Sequence, residues 1–345
     1  MNVSDELEGT VRKLLRPGMG ILAADESLPT IAKRFLPLGI AETEEMRRAY
    51  RSLLFAAPGI EPFIGGAILF EETLLQRDGE GKLLPEVLEG RGIVPGIKVD
   101  KGTTALVNAP GNLVTQGLDG LSERLKIYQS QGARFAKWRA VYNISERNPT
   151  PLAVAANSDA LASYAAICQA EGIVPIVEPE VLMDGAHSMA RCQEVTEDVL
   201  HAVFSALRRH RVILERMLLK PGMVLPGKEH PEKASPEQVA ASTIETLKRA
   251  VPAAVPGVCF LSGGQRPEEA TANLNAMNAS FPAAPWQLSF SYGRALQDPV
   301  LKAWRGRVEN VPAAQAAFFH RAQMNSLARR GQWSSTLEKG AEAGG

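Results

Sequence analysis

RFAKWRA, residues 134–140, is an apolar run that carries two cations, Lys137 and Arg139, near its end. Side chains two apart on an extended strand share a face, so both cations point one way and Trp138 points the other. A strand on an ordinary surface has no need of this arrangement. A parallel barrel does, because its strand ends line a pocket while the strand backs pack under helices.

The same pattern recurs along the chain. VPIVEPEV (174–181) ends on Glu178 and Glu180, and GIVPGIKVD (92–100) on Lys98 and Asp100. Seven apolar runs, at 21–26, 93–100, 134–139, 174–180, 212–220, 258–264 and 286–293, lead into charged or small polar residues. GAILF (66–70) is a further strand, whose following acids, Glu71 and Glu72, read as solvent-facing. Between the runs lie helical stretches at 42–56, 119–131, 159–171, 194–209, 236–250 and 268–278. In the first of them Met46, Ala49, Tyr50, Leu53 and Leu54 recur at helical spacing. Eight such units predict an α/β chain folded as a (β/α)8 TIM barrel with an N-terminal helix, one domain over 1–330 and a flexible tail over 331–345. An open doubly wound sheet is the alternative, but its nucleotide-binding form wants a GxGxxG turn just after an early strand. Gly18 and Gly20 precede their strand, and that spacing is missing.

Composition narrows the function classes. With 38 Lys+Arg against 38 Asp+Glu the formal charge is zero, which gives no global attraction to nucleic acid or to an anionic membrane. Three cysteines, Cys168, Cys192 and Cys259, make a poor disulfide framework and point to a reducing compartment. The opening MNVSDELEGTVRKLL has no apolar signal core, and no apolar run is long enough to span a membrane. Cytoplasm is the expected location. None of the five histidines forms HxH or HExxH and there is no Walker loop, so no metal and no nucleotide cofactor is expected.

The charged strand ends suggest the chemistry. Lys220 closes the run MLLK before Pro221. A lysine recessed in such a place, next to another cation, is disfavoured as an ammonium and can attack a carbonyl. The resulting imine draws electrons from the adjacent carbon without a metal. A solvent-facing lysine after a strand would look the same in sequence, and the paired charges are also compatible with a buried ion-pair network. LSGG (261–264) and SYGR (291–294) follow the seventh and eighth runs, the usual phosphate corner of this barrel. Glycines admit an oxyanion close to backbone N–H groups, and Arg294 can hold phosphate bidentately.

Eight strings taken together, ILAADES (21–27), IGGAILF (64–70), GIKVDKG (96–102), FAKWR (135–139), GIVPIVEPEV (172–181), LLKPGMV (218–224), FLSGGQ (260–265) and SYGRALQ (291–297), resemble the class I, Schiff-base fructose-1,6-bisphosphate aldolases. The resemblance runs from the N-terminal helix to about residue 330. It implies metal-independent, reversible cleavage of fructose 1,6-bisphosphate, a step of glycolysis and gluconeogenesis, by a cytoplasmic homotetramer without a cofactor. It implies that Lys220 forms the imine, that Glu178 is the acid/base with Glu180 in support, and that Asp25 handles the C4 hydroxyl proton. Lys137 would stabilise charge at the scissile bond, with Arg139 and Lys98 lining the same site. Ser262, Gly263, Gly264 and Arg294 would bind one phosphate. Ser27 with Lys98 would bind the other, aided by Thr30 and Arg34. Two departures stand out: Leu28-Pro29-Thr30 replaces the usual serine and glycine after ADES, and the chain ends AEAGG without the terminal tyrosine of animal members. A different Schiff-base aldolase or transaldolase, and an aldolase-like scaffold for assembly partners, are the rival readings.

Overall fold

The computed structural model describes residues 3–341. Eight strands, β1 (Gly20–Ala24), β2 (Ile64–Leu69), β3 (Val94–Lys98), β4 (Phe135–Tyr142), β5 (Val174–Val181), β6 (Leu218–Leu219), β7 (Gly257–Phe260) and β8 (Gln287–Tyr292), form one closed barrel in chain order. Every neighbouring pair is parallel, and β8 returns to β1 with Ile21 opposite Ser291 and Leu22 opposite Tyr292. The strands are buried on both faces, as a barrel core ringed by helices requires.

Two packed layers explain the burial. Inside the barrel, Phe135, Val174, Ile21, Ile68, Leu218 and Cys259 meet Leu7, Val11 and Leu14 of the N-terminal helix Val3–Leu14, which closes the end opposite the charged strand termini. Space for this plug comes from missing side chains. A Cβ on Gly66 would lie 2.4 Å from Leu14, and one on Gly96 2.3 Å from the Phe135 ring. Outside, Trp138 is fully buried and stacks on Tyr164 of helix Pro151–Ala170, with ring centroids 5.5 Å apart. The Tyr164 hydroxyl donates to the Ala136 carbonyl at 2.7 Å, tying that helix to β4. Trp138 thus faces outward while its neighbours Lys137 and Arg139 face in, the alternation expected of RFAKWRA.

Some boundaries differ from the expectation. Only Leu218–Leu219 of the run 212–220 is strand, because Leu214–Arg216 forms a 3-10 turn. The Gln169 side chain accepts from Ile213 N–H at 2.9 Å and donates to the carbonyls of Ile213 and Arg216, taking up backbone groups a strand would offer its neighbours. The helices read at 159–171 and 194–209 begin earlier, at Pro151 and Met189. Thr150 and Ser188 cap them by accepting from Ala153 N–H and Arg191 N–H, a signal that apolar periodicity does not carry. A small antiparallel hairpin, Thr103–Ala105 with Leu113–Thr115, lies outside the eight units; it falls between β3 and β4 in the chain, and its Thr115 hydroxyl donates to the Arg139 carbonyl at 2.8 Å.

At the C-terminus, helix Val311–Arg329 is fastened to the turn that follows the N-terminal helix by Arg329, which donates to the carbonyls of Arg16 and Leu15 at 2.7 and 2.8 Å. Within the stretch read as a tail, Ser335–Ala341 is a 3-10 helix. Its Glu338 pairs with Arg321 and accepts from the Trp333 indole at 2.9 Å. Residues 342–345 of that stretch lie outside the described residues.

Candidate active site

Four of the expected residues form one charged chain at the C-terminal strand ends. Lys137 Nζ on β4 sits 2.8 Å from Asp25 after β1 and 3.2 Å from Glu178 on β5. The other Glu178 oxygen is 3.2 Å from Lys220 Nζ after β6. All four side chains are buried. Register explains the meeting: Arg139 pairs with Glu178 across β4 and β5, and Lys220 N–H donates to Val177 O at 2.8 Å, continuing β6 past its last strand residue.

The chain sets its own protonation. Burial opposes ionisation of Asp25, but the ammonium groups of Lys137 and Lys220 outweigh it and hold the carboxyl well below the usual range. Burial likewise disfavours the Lys137 ammonium, and Asp25, Glu178 and Asp100 together hold it well above an ordinary lysine. The arrangement therefore presents a fixed carboxylate beside a fixed cation, with β5 between that cation and a lysine with its own carboxyl partner.

Around this chain the remaining residues form an entrance. Arg139 donates to Glu180, and burial of the guanidinium is outweighed by that carboxylate, so it stays charged. Lys98 is 2.7 Å from Asp100, which also accepts from Gly102 N–H at 3.3 Å and Arg139 N–H at 3.4 Å; Asp100 thereby orients both strand ends.

The loop after β1 takes a form that explains Pro29. Ser27 is the N-cap of helix Leu28–Phe35, and Pro29 lies in its first turn, where its missing N–H leaves no helix hydrogen bond unmade. The N–H groups of Thr30 and Ile31 both donate to Ser27 O at 2.9 Å, and the hydroxyls of Ser27 and Thr30 are 3.0 Å apart. Arg34 pairs with Glu26. The last tyrosine, Tyr292, is buried with its hydroxyl donating to Ala270 O at 2.9 Å, and it packs in the outer core instead of facing the pocket.

After β7, Gly263 and Gly264 have φ of 58° and 98°, a left-handed pair suited to glycine. Their N–H groups donate to no carbonyl among the described residues. The turn is held from behind, because Gln265 N–H and its side chain both donate to Ser262 O, and Asn273 holds the Gln265 amide at 2.7 Å. Arg294 opens helix Arg294–Trp304 and reaches over Gly264: a Cβ there would lie 3.4 Å from its Nη2. Two successive free N–H groups, a helix N-terminus and a guanidinium make an anion cradle.

Residues that the sequence reading passed over support the site from behind. Asp25 and Glu26 are consecutive at the end of β1, so Asp25 turns inward and Glu26 outward. Glu26 pairs with Arg34 and, at 2.6 Å, with the buried Arg51, and it accepts from Gln297 at 2.9 Å. Gln297 also donates to Ala23 O, and Tyr50 donates to Gln297 at 2.9 Å. Arg51 shares a helix turn with buried Tyr50, Leu53 and Leu54, and a charge on that apolar face was the signal available in sequence. Among the described residues no cluster of His, Cys, Asp and Glu has the makeup to hold a metal ion.

The family model described as "Fructose-bisphosphate aldolase class-I" matches residues 6–344. Human fructose-bisphosphate aldolase C is 52% identical over 98% of this chain and 93% of its own length. The cytosolic fructose-bisphosphate aldolase 4 of Arabidopsis thaliana is 54% identical over 95% of this chain and 83% of its own. The fructose-bisphosphate aldolase of Plasmodium falciparum, solved with TRAP and a small-molecule inhibitor, superposes with a TM-score of 0.95 at 50% identity over 96% of both chains. With its barrel closed around two lysines and two carboxylates, this chain belongs to the class I fructose-bisphosphate aldolases.

Proposed function

We propose that this chain cleaves fructose 1,6-bisphosphate reversibly to dihydroxyacetone phosphate and glyceraldehyde 3-phosphate through an imine on Lys220. The observation that carries the residue roles is the buried chain Asp25–Lys137–Glu178–Lys220. Lys220 Nζ attacks C2 of the open-chain sugar to give a carbinolamine. Glu178, 3.2 Å from that nitrogen, supplies the proton with which the C2 hydroxyl leaves as water, forming the iminium. Asp25, held as a carboxylate, takes the C4 hydroxyl proton as the C3–C4 bond breaks. The bond pair moves into the enamine and the C4 carbonyl departs as glyceraldehyde 3-phosphate. Lys137, fixed as a cation between Asp25 and Glu178, stabilises negative charge developing at the C4 oxygen. Protonation at C3 and hydrolysis of the iminium then release dihydroxyacetone phosphate and the free lysine.

The phosphates hold the sugar across the barrel mouth. One occupies Ser262, Gly263, Gly264 and Arg294. The other lies toward Ser27, Thr30 and Lys98, with Arg34 alongside, while Arg139 and Glu180 border the carbon chain between them. We assign the assembly as a cytoplasmic homotetramer; the three free, buried cysteines suit a reducing compartment, and no described helix is long and apolar enough to cross a membrane. Borohydride reduction in the presence of dihydroxyacetone phosphate, with a chelator throughout, should leave one covalent adduct on the Lys220 peptide and destroy activity. An adduct mapping to another lysine, or activity that vanishes reversibly on chelation, would overturn the assignment.

A further inference from the structure

Two cations face Gly264, and only one of them belongs to the runs read for phosphate binding. A Cβ placed on Gly264 would lie 3.4 Å from Arg294 Nη2 on one side and 3.1 Å from Lys228 Nζ on another, with Lys228 Cε at 2.9 Å. Lys228 arrives from the loop after β6, eight residues beyond Lys220. That loop is held in place. Gly227 N–H donates to His187 O at 2.9 Å, Lys228 N–H to Met183 O at 2.8 Å and Glu229 N–H to Gly185 O at 3.0 Å. A Cβ on Gly227 would come within 2.1 Å of the Gly185 carbonyl, so the two backbones approach as only glycine permits. A fixed backbone thus delivers a long cationic side chain to the rim of the anion cradle. Its ammonium rests on Asp184 at 2.9 Å, with both side chains exposed, 43% and 68%. An exposed pair of this kind contributes little and exchanges readily.

We propose that Lys228 is a second cationic ligand for the phosphate at Gly263–Gly264, turning from Asp184 to the phosphate when substrate binds. The inference rests on the phosphate role given above to Ser262, Gly263, Gly264 and Arg294. A phosphate monoester is a dianion near neutral pH, and Arg294 balances only one of its charges; Lys228 balances the other. Arg294 fixes direction through a planar fork, whereas Lys228 acts as a point charge on a flexible stem. Its contribution therefore falls on substrate affinity and leaves the chemical step alone.

The test titrates inorganic phosphate into the full chain by calorimetry at low ionic strength, with fructose 1,6-bisphosphate kinetics in parallel. Lys228→Met should weaken phosphate about three- to fivefold, the upper part of the range for an exposed ion pair, and raise KM similarly with kcat near wild type. Lys228→Arg should restore both. Asp184→Asn, which frees the ammonium, should bind phosphate as tightly as wild type or more tightly. Arg294→Ala locates the titrated site: if the Lys228→Met effect falls on phosphate binding that Arg294→Ala leaves unchanged, that binding lies elsewhere and the proposal is overturned. Phosphate affinity of Lys228→Met within about 1.5-fold of wild type also overturns it, being no more than the floor of that range and too small for a ligand that balances a phosphate charge. Equal weakening by Lys228→Met and Asp184→Asn does so too, since that is what a purely structural pair would give. Wild type that binds phosphate but does not cleave the bisphosphate would count against the aldolase reading and leave the calorimetric comparison intact.

Discussion

Replacing Lys137 by methionine removes a cation that touches two buried carboxylates. The distances, 2.8 Å to Asp25 and 3.2 Å to Glu178, correspond to about 6 and about 5 kcal/mol of gross attraction at an effective dielectric of about 20. Most of that is offset by the cost of burying the ammonium, which methionine escapes. What remains is the cost of leaving carboxylates uncompensated, and breaking buried ion pairs from one side costs about 3–5 kcal/mol. Urea unfolding followed by tryptophan fluorescence near neutral pH should show a loss of that size. The pH dependence supplies a second check. In the wild type Asp25 is held below its unfolded value of 3.8, so its stabilisation is complete above that value and is lost as pH falls through the lower folded one. Without Lys137, burial dominates and raises the carboxyl, so its contribution becomes destabilising at neutral pH and is relieved on acidification. The gap between the two proteins should therefore narrow between neutral pH and about pH 4.5. Cleavage should fall by about 10²–10⁴, the usual worth of a group acting in the transition state. A neutral-pH difference below about 1 kcal/mol, or one that does not change with pH, would refute the reasoning that Lys137 balances both acids.

Two further perturbations probe the frame around the site. Gly96→Ala sets a Cβ 2.3 Å from the Phe135 ring and should cost about 1–3 kcal/mol by overpacking, with partial recovery in the double variant Gly96→Ala/Phe135→Leu; thermal melting that shows no recovery would contradict the plug geometry. Glu338→Ala should expose Ser335–Ala341 to limited proteolysis at neutral pH. Burial resists ionisation of Glu338, but hydrogen bonds from His320 and Arg321 hold it down to about 2 from the usual 4.5, so its anchoring is present above 4.5 and lost as pH falls through about 2. Wild-type and alanine proteins cut at equal rates at neutral pH would show that Glu338 anchors nothing.

Much of the site was legible because it lies on strands. Lys137 and Arg139 had to share a face once RFAKWRA was extended, and Trp138 had to take the opposite one, where it meets Tyr164. Six helical stretches were readable from apolar spacing, although Thr150 and Ser188 start two of them earlier. What escaped was long-range or irregular. Glu26 stands beside Asp25 in the same string, yet its partners Arg34, Arg51 and Gln297 lie 8, 25 and 271 residues away. Lys228 reads as one more loop lysine until backbone hydrogen bonds to 183–187 set it over Gly264.

Local rules decided which residues alternate, where apolar runs stop and which turns need glycine, because those depend on neighbours a few bonds apart. They were enough for a barrel of eight units and a charged mouth, and the resemblance of eight strings to the aldolases added the chemistry. Only closure of the barrel decided which charges touch. Parallel register brings Lys137 between Asp25 and Glu178, and Glu178 against Lys220, although these residues span most of the chain. Electrostatic energy falls with distance in space and ignores distance in sequence, so whether a lysine is a surface cation or part of a buried chain of charges is settled by the tertiary fold.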